Sequence, residues 1–264
     1  MQIHFNYRFS RQIWRVLAHP EVQRKEWVVE LRDPATKQVS FAALDTGLQK
    51  VLWEVSPPYS DWWSSLTAMS GDQVYIHDYR YPEIPEPTDL RALSLLDGSS
   101  LWELANQVLV EPLEKPWLKV AGRQGRGGVP KYSVVDANTG AYSPFKEESL
   151  TVPKGLALQA PVLYKDGEPY FEPMKAFIAT MTDGHSAISI DYLEWNPFMM
   201  FSYYIYQQEK LIQFLLVVNK SKELIFHEQI SAPSDGIGQA TMLMKEDLLV
   251  FLKNKNEFSS LKFS

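Results

Sequence analysis

Ala43-Leu44-Asp45-Thr46-Gly47-Leu48-Gln49-Lys50-Val51-Leu52-Trp53-Glu54-Val55 reads as a strand, a tight turn and a returning strand that ends in Trp-Glu. Asp and Thr bond the turn backbone, and Gly supplies the freedom a tight reversal needs. Weaker copies follow. Residues 90–96 turn at Asp97-Gly98 into Leu101-Trp102-Glu103-Leu104, and residues 131–135 turn at Asp136-Ala137-Asn138-Thr139-Gly140 into Ala141-Tyr142. The aromatics that close the copies are Trp14, Trp53, Trp102, Tyr142 and Phe226, at spacings of 39, 49, 40 and 84. A period of about 40–50 residues with four strands per unit marks a β-propeller, and the last spacing is two periods.

Working outward, strands are predicted over 11–19, where Ile13, Val16 and Leu17 also fit a short helical face, and over 27–32, 39–44 and 51–55, and Pro57-Pro58 stops the first unit. The second unit opens at Trp62-Trp63, alternates through 73–79, and carries an acidic, Pro-rich loop at 82–88. The third has strands at 117–121 and 131–135 around a glycine-rich loop at 122–128. Residues 146–187 fit the pattern least, with strands read near 156–164 and 170–180 and a hairpin-like turn at 165–168. Strands resume at 187–195, 198–206, 211–218, 224–228, 241–244, 248–252 and 258–263. Residues 198–206 are nearly continuous in apolar and aromatic side chains, as in a strand buried on both faces. Three strands after residue 238 lack a closing Trp-Glu strand, and the N-terminus offers one at Trp14. The fold class is therefore all-β: one β-propeller-like domain over 1–264 with five or six four-stranded blades, its ring closed by the N-terminal strand pairing with the C-terminal strands. An incomplete ring or a pair of β-sandwiches are the alternatives.

The units Leu44-Asp45-Thr46-Gly47…Leu52-Trp53-Glu54 and Val135-Asp136-Ala137-Asn138-Thr139-Gly140 resemble the blade repeat of PQQ-type, quinoprotein-like propellers. The resemblance implies that the Gly takes a positive dihedral and the Trp packs between blades. It covers about half the chain. Quinoprotein dehydrogenases are longer and carry an adjacent cysteine pair, and this chain has 264 residues and no cysteine, so no cofactor or calcium ligand carries over. The chain is similar in this to uncharacterised bacterial single-domain propeller-like families. Propellers host unrelated activities, so the resemblance speaks to fold and not to chemistry.

A formal net charge of −6 argues against a nucleic-acid partner. The lack of cysteine excludes thiolate metal sites and Cys nucleophiles, and fits a cytoplasmic protein. Residues 1–10 lack a basic region followed by an apolar core, so no secretory leader is expected. No apolar run is long enough to span a membrane.

The five histidines, His4, His19, His77, His185 and His227, are scattered, so no metal pattern is read and no cofactor is expected. Candidate ligand- or partner-binding residues come from three stretches. His77, Tyr79 and Arg80 belong to the densest polar–aromatic group and precede a long loop. Arg123 and Arg126 sit among glycines whose amides can hold an anion, although no helix follows as it does in a phosphate loop. His185, Asp191 and Glu194 lie close in sequence, with Asp191 and Glu194 on opposite strand faces. The leading expectation is a non-enzymatic binding or scaffold propeller that holds a protein or small molecule on one rim, near 79–89 and 122–130. The alternative is a hydrolase or lyase with a polar central-channel site for a small or carbohydrate substrate.

Overall fold

The computed structural model describes residues 2–81, 86–122, 129–144, 151, 158–238 and 242–263. The chain forms two compact units, Met1–Ser10 with Ala157–Ser264, and Arg11–Leu156. Strand β1 (Ile3–Arg8) opens the chain and belongs to the former.

Residues 11–156 contain three antiparallel meanders. The first is β2 (Gln12–Ala18), β3 (Glu26–Asp33), β4 (Gln38–Asp45) and β5 (Lys50–Val55). The second is β6 (Ser65–Ser70), β7 (Gln73–Asp78), β8 (Asp89–Ser94) and β9 (Ser100–Leu104). The third is β10 (Gln107–Pro112), β11 (Trp117–Gly122) and β12 (Lys131–Asp136). The sheets pack face to face in series. Val28, Phe41 and Ala43 of the first meet Leu66, Val74, Ile76 and Leu93 of the second. The opposite face of the second sheet, with Tyr75, Leu90 and Ala92, meets Leu118, Val120 and Val135 of the third. Alternate residues of one strand thus serve two cores, which is why the middle strands read as continuous apolar runs.

In the other unit, β13 (Val162–Lys165) leads to helix α1 (Phe171–Met181). Next come β14 (Ser189–Trp195), β15 (Phe198–Gln207), β16 (Lys210–Asn219) and β17 (Leu224–Gln229), in the sheet order β13-β14-β15-β16-β17. The chain ends with β18 (Met242–Lys245), β19 (Leu248–Lys253) and β20 (Glu257–Lys262), and β1 pairs antiparallel with β20. Leu193, Met200, Leu215 and Val217 meet Met242, Met244, Leu249 and Phe251 between these two sheets.

Among the described residues, each of the five sheets has one hydrogen bond of the same kind. The residue just past the third strand of the meander donates its amide to the turn of the first hairpin. The pairs are Thr46 to Lys25 (3.1 Å), Leu95 to Asp72 (2.8 Å), Ala137 to Pro116 (2.6 Å), Lys220 to Pro197 (2.9 Å) and Phe263 to Asp247 (2.8 Å). This bond aligns the repeats and shifts the sequence alignment by two residues. Asp45, Ser94 and Asp136 are equivalent, each accepting from the amides two and three positions on. The left-handed residue is then Gln49 (φ 55°), Gly98 (φ 73°) or Gly140 (φ 70°), and not Gly47. At Gly98 an added Cβ would lie 2.9 Å from the Trp53 ring, and at Gly140 3.0 Å from the Trp102 ring. The two indoles donate to Leu95 O and Ala137 O, each at 2.8 Å. Each Trp therefore locks its sheet onto the turn of the next, as the resemblance implied.

Three expectations are corrected. The strand that joins the C-terminal strands is Ile3–Arg8, and the Trp14 strand is instead the first of its own sheet, paired with β3. Among the described residues Tyr142 forms an isolated bridge to Val135, outside any named strand, and it is exposed and not packed between sheets. The strand read at 170–180 is α1, whose Phe171, Met174, Phe177, Ile178 and Met181 recur at helical spacing and cover one face of the β13–β17 sheet. A short apolar run there fits either period, and the helical period wins because that sheet face is open to cover.

Candidate partner-binding loop

The longest fully described connection in residues 11–156 is 56–64, between β5 and β6. Two arginines hold its backbone from below. On β3, Glu30 and Arg32 project to the same face, as residues two apart must. Arg32 Nε donates to Glu30 Oε1 (2.7 Å), while its other nitrogens donate to Trp62 O (2.8 Å) and Ser64 O (3.3 Å). Glu30 Oε2 accepts the Leu66 amide (2.8 Å), so the pair spans the loop's last turn and the start of β6. From β8, Arg91 Nη1 donates to Pro58 O (2.7 Å), at the loop's other shoulder. Arg91 Nη2 also lies 2.9 Å from Asp78 Oδ2, without the alignment of a hydrogen bond. Asp78 Oδ1 accepts from Ser64 Oγ (2.6 Å). Burial pushes the Asp78 carboxyl up, against the pull of Ser64 and the guanidinium. Asp61 closes the turn by accepting the Trp63 amide (2.8 Å).

What the loop presents is aromatic. Trp63 is 43% exposed, Tyr59 92% and Trp14 on neighbouring β2 55%. Trp62 meets Trp14 edge-on with ring centres 6.2 Å apart. The Arg32 guanidinium lies over both indoles, 5.1 and 4.9 Å from their centres, and the Lys37 ammonium stands 4.6 Å from Trp62. Trp14, Trp63 and Tyr59 thus face solvent, with Trp62 half-buried against Arg32 and Lys37, on a backbone fixed by buried ion pairs. Exposed aromatic clusters of this kind mark interaction surfaces.

The residues singled out in the sequence are dispersed. His77 is buried, and its Nε2 accepts the Leu109 amide (2.9 Å). Burial, with Arg15 adding to it, pushes His77 down to about 4, so it is a neutral structural acceptor. Tyr79 and Arg80 follow it at the same end of the sheet as loop 56–64, and Arg80 pairs with Asp89. Arg123 and Arg126 lie outside the described residues.

His185, Asp191 and Glu194 belong to the other unit. Glu194 accepts from Tyr192 Oη (3.1 Å) and faces Lys220 (3.4 Å). Asp191 points to the opposite face, paired across the β14–β15 ladder with Ser202, which accepts from Gln213 Nε2 (2.7 Å). His185 meets Tyr203 and His227, described below. Trp62, Trp63, Arg32 and Arg91 were not recognised as a site from the sequence. The available signal was a Trp-Trp pair inside a long connection that begins with Pro-Pro.

Burial pushes Asp191 up to about 6 from its ordinary 3.8. Its native form therefore holds a proton that the unfolded chain releases. Stability falls as pH rises from about 4 to about 6 and stays lower above, by up to about 3 kcal/mol. Asp191→Asn removes this loss. In urea unfolding followed in the Ala157–Ser264 unit, the variant's gain over the native protein grows through that window. A pH-independent difference would contradict the burial argument.

A comparison with curated protein sequences returns no match. Among solved structures, the chain is similar to BamB from Moraxella catarrhalis at 13% identity and TM-score 0.35, over 94% of this chain and 84% of that one. It is similar to the β-propeller domain of the trilobed protease from Pyrococcus furiosus at 11% identity and TM-score 0.34, over 96% and 67%. It is also similar to a member of the DUF4221 family from Bacteroides vulgatus at 9% identity and TM-score 0.35, over 98% and 96%. A family described as "Domain of unknown function (DUF4905)" matches residues 21–102, the stretch that holds the first sheet from β3 on, loop 56–64 and most of the second sheet.

Proposed function

We propose that this protein is a non-enzymatic binding or scaffold protein whose partner is another protein, seated on the aromatic loop 56–64 and Trp14. The reading takes the five sheets as five blades of one propeller latched by β1, with loop 56–64 and residues 79–81 and 86–88 on the partner-facing rim. The observation that carries it is the pairing of exposed indoles with a backbone held by two buried guanidinium groups. Buried ion pairs add little net stability compared with apolar side chains of the same volume. What they supply here is a fixed loop. A fixed loop loses little entropy on binding, and Trp, Tyr and Arg dominate binding hot spots.

The test is partner enrichment from the native lysate with native protein and Trp63→Ala, each first checked for equal unfolding midpoints. Truncating an exposed side chain shifts stability by no more than about 0.5 kcal/mol. The specific partner of the native protein is expected to be depleted at least about tenfold with the variant. An identical partner set from both proteins would overturn the reading.

A further inference from the structure

On the α1-covered face of the β13–β17 sheet, two imidazoles converge on one phenol. His185 Nδ1 and His227 Nε2 each lie 2.8 Å from Tyr203 Oη. The three side chains come from the α1–β14 connection, β17 and β15, and the sheet register brings the last two together. Phe214 pairs with Tyr203 across the ladder, and its ring packs 5.4 Å from His227 and 4.6 Å from His185. Tyr203 is fully buried and both histidines are half-buried, so the cluster has a dry floor and an open side. Thr182 fixes the approach of His185: its hydroxyl donates to Ile178 O (2.8 Å) and accepts the His185 amide (3.2 Å).

We propose that His185, Tyr203 and His227 form a site for a divalent metal ion of borderline softness. Two imidazole nitrogens and the Tyr203 phenolate are the ligands, and Cu2+ is the tightest-held ion, ahead of Zn2+. Imidazole suits both ions, and the order of divalent affinities places copper above zinc. In a four-coordinate site with bonds of about 2.0 Å, ligand atoms stand about 3.3 Å apart. The two nitrogen-to-phenol separations of 2.8 Å need to open by only about half an ångström. Binding displaces the hydroxyl proton of Tyr203 to solvent, and the ion's charge offsets the phenolate's. Water completes the coordination.

The experiment uses the full chain, stripped with a chelator and titrated with Cu2+ alone, followed by visible absorption and electron paramagnetic resonance. The expected result is one ion per chain, nitrogen coupling from two imidazoles, and a phenolate-to-copper charge-transfer band. Tyr203→Phe loses the band and keeps the nitrogen coupling. His227→Gln weakens binding at least about tenfold, which is the lower end for loss even of a supporting group. His185→Gln does the same and keeps the measurement decisive if the His227 variant does not fold. His4→Ala leaves binding unchanged. A native protein without the charge-transfer band, or with copper affinity unmoved by both glutamine variants, would overturn the proposal and leave a simple hydrogen-bonded chain.

Discussion

Trp53→Ala lowers the unfolding free energy of the Arg11–Leu156 unit by about 3–5 kcal/mol, whereas Trp14→Ala changes it by less than about 0.5 kcal/mol. The two residues look alike in the sequence, each followed by a charged residue on an apolar strand. Their surroundings differ. Trp53 is almost fully buried in the core between the first two sheets, donates to Leu95 O and lies against Gly98, where there is no room for a Cβ. Truncation leaves a large cavity and an unpaired carbonyl, and a rigid turn cannot collapse into the space. Trp14 is more than half exposed, and its removal costs only its contacts with Trp62 and Arg32. Urea unfolding of both variants checks the pair. Equal effects would mean that the interlock of sheet and turn is not what holds the repeat together.

Arg32→Ala destabilises the same unit by about 3–5 kcal/mol, because it leaves a buried carboxylate without its cation. Glu30 is fully buried, and Arg32 is its ion-pair partner, at 2.7 Å. The same change frees Trp62 O and Ser64 O from their donors, so the loop loosens along with the loss of stability. The double variant Glu30→Leu/Arg32→Leu recovers most of the stability and not the loop order, since apolar side chains replace the burial and supply no donors. Hydrogen exchange at Trp63 and Ser64 beside a urea melt separates the two effects. A loss below about 1 kcal/mol for Arg32→Ala would show that the pair is not anchored as described.

Much of this fold was legible in the chain. Apolar runs of period two and evenly spaced turns gave the meanders, and the Trp53 and Trp102 strands gave the contact between sheets. The alignment of the turns was misplaced because Asp-Thr-Gly at 45–47 and Thr139-Gly140 look equivalent. The shared amide bond instead makes Asp45 the equivalent of Asp136 and Gln49 that of Gly140. A left-handed Gln carries no sequence signal. Helix α1 was missed because eleven residues with a Pro in the first turn read equally well as a short strand.

The candidate site was less legible. Arg32 and Arg91 are ordinary charged residues in strands until the fold brings their guanidinium groups beneath one loop. The convergence of His185 on Tyr203 and His227 depends on the register of β15, β16 and β17, which spacing along the chain does not contain. His77 drew notice from its polar neighbours, yet the adjacent sheet's Leu109 amide occupies its ring nitrogen.

The claim that loop 56–64 is a partner-binding surface is tested most directly by titrating the enriched partner against Trp63→Ala and Leu48→Ala. Leu48 is 63% exposed, so both changes remove an exposed apolar side chain, but Leu48 sits on the turn at the opposite end of the first sheet. Trp63→Ala is predicted to weaken the complex by about 2 kcal/mol, near thirtyfold, and Leu48→Ala by less than about 0.5 kcal/mol. Equal affinities for the two variants, or a larger loss at Leu48, would contradict the account.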